Sequence, residues 1–188
     1  MDVPVNAQVE CADGPCGHSV GVIVSPKNRQ VTHLIVKPHG DLERLTPVDQ
    51  IIEASPTTIR LRSTKDELTR MDPFVEHEYV VLAPEAFMWA PAPQIIPVPH
   101  LRVPQGELAI ERGSRVEATD GQVGKVDELL VDPKDDHITH LVLREGHLWG
   151  QRDVTIPASE IDRIEDDAVF LKLDKHTIAS LPTVPVHK

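Results

Sequence analysis

The chain has 188 residues, with 19 Lys and Arg against 30 Asp and Glu, a formal net charge of −11, 40% hydrophobic and 26% charged residues. This is the balance of an ordinary globular protein, and it argues against direct nucleic-acid contact, because affinity for a phosphate backbone comes largely from Lys and Arg. No apolar run approaches the roughly 18 residues that span a bilayer, and MDVPVNAQVE at the N-terminus lacks the basic-then-apolar order of a secretory signal, so neither a transmembrane segment nor export is expected and the address is cytoplasmic.

The first elements in chain order belong to a repeat. Residues 9–37, VECADGPCGHSVGVIVSPKNRQVTHLIVK, align without a gap on residues 116–144, VEATDGQVGKVDELLVDPKDDHITHLVLR, with roughly a third of positions identical. After a short insertion in the second copy, LTPVDQI (45–51) matches TIPASEI (155–161) and IRL (59–61) matches VFL (169–171). Two units follow, 5–75 and 110–182, each near the small end for independent folding. The first unit closes on a short helix, with Thr64 and Glu67 at capping-box spacing ahead of Leu68 and Met71, and Pro73 as its stop.

The stretch between the units, 76–109, reads as a linker. Its run LAPEAFMWAPAPQIIPVPHLRVPQGEL (82–108) holds six of the 17 prolines. Proline fixes φ and removes a donor, so the run is neither helix nor central strand and should be extended and stiff.

The second unit shows its strands more clearly. SRVEA (114–118) alternates polar and apolar residues and meets the hairpin signal Asp120-Gly121. VGKVDELLVD (123–132) is a strand long enough to bend, Pro133–Asp136 is a turn, and HITHLVLR (137–144) is a strand with apolar residues on both faces, expected to be covered on both sides. RDVTIPA (152–158), EIDRIED (160–166) and AVFLKL (168–173) are three more short strands. Asp174 then caps a helix over 175–181 ahead of Pro182. So many short strands in so small a unit favour a closed or nearly closed barrel around an apolar interior, with the helix over one end. The expected fold is mostly β: two small barrels, each of about six strands with a short C-terminal helix.

The run G-S-R-V-x-A-x-D-G-x-x-G-x-V-x-x-x-x-V-D-P, then I-T-H-L-V and I-P-A-S-E-I, resembles the PRC-barrel superfamily. That family includes the cytoplasmic domain of the photosynthetic reaction-centre H subunit and the C-terminal domain of the ribosome maturation factor. The likeness covers nearly all of the second unit and the first half of the first, where Ser25 replaces Asp132 and the later loop is shorter. It implies a six-stranded barrel and docking on protein surfaces, and it implies no shared catalytic residues. Function still has to be argued from the site.

Gly14, Gly17, Gly121 and Gly124 read as turn and barrel-bend glycines, because a phosphate cradle needs a helix after the loop and here a strand follows. His33 and His140 hold equivalent positions and read as wall residues bonded to backbone carbonyls, with a metal or proton site as the sharper alternative. Cys11 and Cys16 read as free thiols near a turn, with a structural disulfide or a metal site as the alternatives; with His18 they form the best remaining trio for zinc, without an evident fourth ligand. The loop Gly146-His147-Leu148-Trp149-Gly150 has no counterpart in the first unit, and Trp suits a partner anchor. Phe87, Met88 and Trp89 either pack between the barrels or form a docking patch. No nucleophile has a convincing base, and no G-x-S-x-G, H-E-x-x-H, P-loop or dinucleotide fingerprint appears.

The expectation is therefore a non-catalytic tandem-barrel adaptor, with no catalytic or metal residues and no cofactor. It binds another protein, with a homodimer among the options, through His147, Leu148, Trp149, Phe87 and Trp89. The alternatives are a small-molecule or metal-binding protein using its histidines, and an accessory factor in RNA processing or ribosome assembly.

Overall fold

A computed structural model describes residues 2–4, 7–55, 57–82, 94–145, 152–165 and 168–181. A leading strand β1 (Asp2–Pro4) precedes the first repeat. That repeat builds β2 (Gln8–Cys11), β3 (Gly14–Ser25), β4 (Gln30–Pro38), β5 (Arg44–Pro47), a 3-10 turn (Val48–Gln50), β6 (Ile51–Ala54), β7 (Thr58–Leu61) and α1 (Lys65–Thr69). Next come β8 (Val75–Leu82), β9 (Gln94–Leu101) and β10 (Leu108–Glu111). The second repeat builds β11 (Arg115–Ala118), β12 (Gly121–Val131), β13 (Ile138–Glu145), β14 (Arg152–Pro157), a 3-10 turn (Ala158–Glu160), β15 (Ile161–Glu165), β16 (Ala168–Leu171) and α2 (Lys175–Ala179).

The fold is mostly β, and the two repeats have one topology. Their strands run β5-β4-β3-β2-β7-β6 and β14-β13-β12-β11-β16-β15, with β2 parallel to β7 and β11 parallel to β16. Among the described residues no ladder joins β5 to β6 or β14 to β15. Each of these pairs is linked by its 3-10 turn, so the units are curled sheets just short of full closure.

Local chemistry explains the shared path. Gly14 and Gly121 take φ of 116° and 121° in the hairpin turns, a region open to Gly. At the bend of the long strand, a Cβ on Gly17 would sit 2.1 Å from the Lys37 carbonyl oxygen, and one on Gly124 would sit 2.3 Å from that of Arg144. Only hydrogen fits there. The turn aspartates also start the helices: Asp13 Oδ1 accepts from Lys65 N–H and Asp120 Oδ1 from Lys175 N–H, both at 3.0 Å. Thr64 and Glu67 form the expected capping box, and the Asp174 carboxylate accepts from Thr177 N–H at 2.7 Å. Leu68 and Ile178, fully buried, seat the two helices on the sheets.

The structure adds an exchange of strands that the sequence reading lacks. β10, from the stretch read as linker, joins the first sheet alongside β3, while β1 joins the second sheet alongside β12. The registers are equivalent: Ala109 faces Ile23 as Asp2 faces Leu130, and Ile110 faces Val22 as Val3 faces Leu129. Between the sheets, Gln30 and His137 form an antiparallel bridge. Val31 N–H donates to Asp136 O and Ile138 N–H donates to Arg29 O, each at 2.9 Å. These reciprocal bonds between equivalent residues mark a pseudo-twofold axis.

One continuous apolar cluster accordingly runs from Val9, Leu34 and Ile59 in the first unit to Leu129, Leu141 and Ile156 in the second. The expected pair of separate interiors is a single shared core, and burying each such side chain contributes about 1.5–3 kcal/mol. A smaller cluster of Ile23, Ile35, Leu45 and Phe74, with Val103 and Ala109 against it, covers the outer face of β3 and β4. That cover lets those strands be apolar on both faces.

Gly124→Ala would force β12 away from β13. It is expected to destabilise the protein by about 1–3 kcal/mol, read as a fall in the urea midpoint; an unchanged midpoint would mean the strands can part freely.

Candidate functional site

Five residues proposed from the sequence as partner contacts, His147, Leu148, Trp149, Phe87 and Trp89, lie outside the described residues. In sequence, Phe87 and Trp89 fall between β8 and β9.

The cysteine reading is corrected. Cys11 and Cys16 are bonded to each other, with Cα atoms 5.8 Å apart. The bulge between Val9 and Glu10 and the tight turn at Asp13-Gly14 bring the two positions together. Sulfurs joined in a disulfide are not thiolate ligands, so the zinc alternative with His18 falls as well. Ala118 and Val123 stand at the matching positions of the second unit, so the hairpin forms without a covalent link there.

His33 and His140 are half-buried. Instead of bonding a backbone carbonyl as expected, His33 has Nδ1 3.0 Å from Thr32 Oγ1 and 3.9 Å from Glu107 Oε2. Thr32 Oγ1 donates to the same carboxylate at 2.6 Å. Among the described residues, no three His, Cys, Asp or Glu side chains are grouped so as to hold a metal ion.

The pseudo-twofold axis carries an electrostatic asymmetry. Arg29 reaches across it, donating from its two terminal nitrogens to Ala158 O at 2.8 Å and Ile161 O at 2.9 Å. The matching residue in the second unit is Asp136, and both have left-handed φ, 58° and 60°. Partial burial raises the Asp136 carboxyl above its usual range, and the nearby carboxylates of Asp135 and Asp49 push it further.

A half-open cleft of about 640 Å³ lies where β9, β10 and the second unit meet, lined by Leu101, Val103, Ala109 and Arg112 among others. Its polar groups are mutually engaged. Arg112 pairs with Asp127 at 3.3 Å, and Ser114 Oγ accepts from Glu111 N–H at 3.0 Å.

Among the described residues, exposed large apolar side chains concentrate on the β8–β9 ribbon, a two-stranded sheet paired from Val75–Leu101 to Leu82–Gln94. Phe74, 1% exposed, anchors its base in the smaller cluster, and Arg102 N–H donates to Phe74 O at 2.7 Å. That bond fixes the parity of the ladder, since hydrogen-bonded pairs alternate along antiparallel strands. Even-numbered residues of β8 bond β9, while Val75, His77 and Tyr79 turn their N–H and C=O groups outward. Pro97 and Pro99 face Tyr79 and His77, so the donors they lack are those of the outer edge of β9.

The two ribbon faces differ. Tyr79, Ile95 and Leu101 share one face and are 70%, 66% and 56% exposed. Glu76 and Glu78 share the other with the less exposed Val80 and Ile96, and there Glu76 pairs with Arg102 at 2.8 Å and Glu78 with His100 at 3.0 Å.

Residues 112–177 match the family model of the PRC-barrel domain, so the second unit is a PRC-barrel. The first unit lies outside that match and shares its strand order. No curated protein matches the chain.

Asp136 binds its proton more tightly in the folded than in the unfolded chain, so its contribution is favourable in acid and is lost as pH rises through its raised folded value. Asp136→Asn keeps a residue type that tolerates the left-handed backbone. It is expected to raise the melting midpoint at pH 7 by about 1–3 °C and to give no gain at pH 3, where the carboxyl is protonated. Equal gains at both pH values in scanning calorimetry would refute the electrostatic cause.

Proposed function

We propose that this chain is a non-catalytic protein-binding module, a paired-barrel scaffold whose docking element is the β8–β9 ribbon. The observation that carries the reading is the ribbon face of Tyr79, Ile95 and Leu101, each more than half exposed. Exposed apolar residues gathered on one face commonly mark an interaction site, and a two-stranded ribbon is marginal in water until something packs on it. Phe87 and Trp89 belong to the stretch joining the ribbon strands, which adds aromatic anchors to the same part of the chain. The engaged polar groups of the cleft support binding over chemistry, as does the PRC-barrel resemblance.

The described residues include no helix long and apolar enough to cross a membrane. For the address, the cytoplasm remains our proposal. Cys11 and Cys16 are 6% and 5% exposed, which shields their bond from attacking thiolates.

Tyr79→Asp and Leu101→Asp test the reading. Each puts a charge on an exposed face, so the melting midpoint should stay within about 2 °C of wild type. Recovery of the bound protein in affinity capture from the native host, quantified by mass spectrometry, should fall at least about tenfold. Undiminished recovery by both variants would remove the ribbon from this role.

A further inference from the structure

We infer that the occupant of the ribbon is a second copy of the chain, joined through the free edge of β8 in an antiparallel β8–β8 pair. This rests on the ribbon being the docking element, and it adds which edge is used and by what.

The two ribbon edges are chemically unequal. On β9 the outer edge has Pro97 and Pro99 at successive outward positions and cannot donate there. Proline on an edge is a common block to strand addition. The β8 edge keeps outward N–H and C=O groups at Val75, His77 and Tyr79, so a new strand has one side on which to add.

Register makes the chain's own β8 a fitting strand. An antiparallel pair centred on Tyr79 sets Tyr79 opposite its copy, Glu78 opposite residue 80, a valine, and Glu76 opposite residue 82, a leucine. No carboxylate then meets its own kind, which would be destabilising across a strand pair. The carboxylates also have partners within the ribbon, in Arg102 and His100. A chain of net charge −11 can therefore approach itself here with little local repulsion, whereas its long-range field favours basic partners. The contact would be modest. Eight residues of strand span about 26 Å, so each copy covers a few hundred Å², below the ~800 Å² per partner of a standard interface. Dissociation constants of about 10–100 μM fit that size.

Sedimentation equilibrium of the full chain, from about 5 to 500 μM, is the test. Wild type should pass from the 20.8 kDa monomer toward a dimer, and added salt should strengthen the association or leave it unchanged. His77→Pro removes one outward donor while keeping every ladder bond of the ribbon, and it should hold the chain monomeric. Tyr79→Lys, which faces two ammonium groups at the centre, should do the same without touching the backbone, and it decides the matter if His77→Pro unfolds.

A wild type that stays monomeric throughout, or a Tyr79→Lys variant that dimerises as wild type does, overturns the inference. Association that salt abolishes also overturns it, pointing to a charge-driven contact elsewhere. If wild type is monomeric yet Tyr79→Asp loses partner capture, self-pairing fails and the docking role survives with a different protein. If capture is also unaffected, both fail.

Discussion

The two backbone bonds across the Gln30–His137 bridge fix the relation of the halves, and the other large features of the molecule follow from it. With Val31 bonded to Asp136 and Ile138 bonded to Arg29, each long bent strand lies where the other half's leading segment can reach it. β1 and β10 then cross over in equivalent registers. Two sheets of some 70 residues, each too small to bury a large interior alone, become the walls of one core. The exchange also has a steric condition: a Cβ on Gly21 would lie 2.7 Å from the Ile110 carbonyl oxygen, so the close approach of β10 depends on glycine at that point.

Departures from the pseudosymmetry matter more than the symmetry for what the molecule can do. Arg29 and Asp136 occupy equivalent left-handed positions, yet the guanidinium satisfies two carbonyls across the axis while the carboxylate meets other carboxylates. A homodimer of identical barrels would carry the same residue at both places. Duplication within one chain lets one side bind well and the other be strained. The disulfide, present in one hairpin and replaced by Ala118 and Val123 in the other, is a second such division, and the ribbon, inserted once between the halves, is the third and largest.

Much of the fold was legible because its determinants are local. The Asp-Gly turns, the Thr64 and Asp174 caps and the alternating strands each depend on neighbours in sequence, and the repeat displayed them twice. The strand exchange was hidden because pairing β10 with β3 is non-local, and a four-residue strand such as LAIE gives no sign of which sheet it joins. The disulfide was only the lesser alternative to free thiols because a C-x4-C spacing does not reveal the bulge that closes it. The ribbon was half visible. Prolines 97 and 99 excluded a central strand, correctly, but their spacing by two also fits a strand whose missing donors all face outward. The alternation of VEHEYV was the companion signal. The aromatic candidates at 87 and 89 rested on residue type, and that at 149 on a loop the first repeat lacks.

Edges add to the argument for the ribbon as the proposed docking element. Every sheet that stops short of closure has two edges, and proteins usually blunt them. Here β1 and β10 add to the long strands β12 and β3. β9 is blunted by its prolines. β8 is left with outward donors at Val75, His77 and Tyr79 and no proline among them, beside a face whose tyrosine is 70% exposed. Had selection acted only on solubility, the charge that the chain carries in excess would be expected on this strand's open face. Its two glutamates lie instead on the opposite face, tied to Arg102 and His100 beside Val80 and Ile96, and the open face carries no carboxylate, only His77 among its apolar residues. Blocking one edge of a two-stranded ribbon while sparing the other fits a surface shaped for a single orientation of contact, not a generic sticky patch.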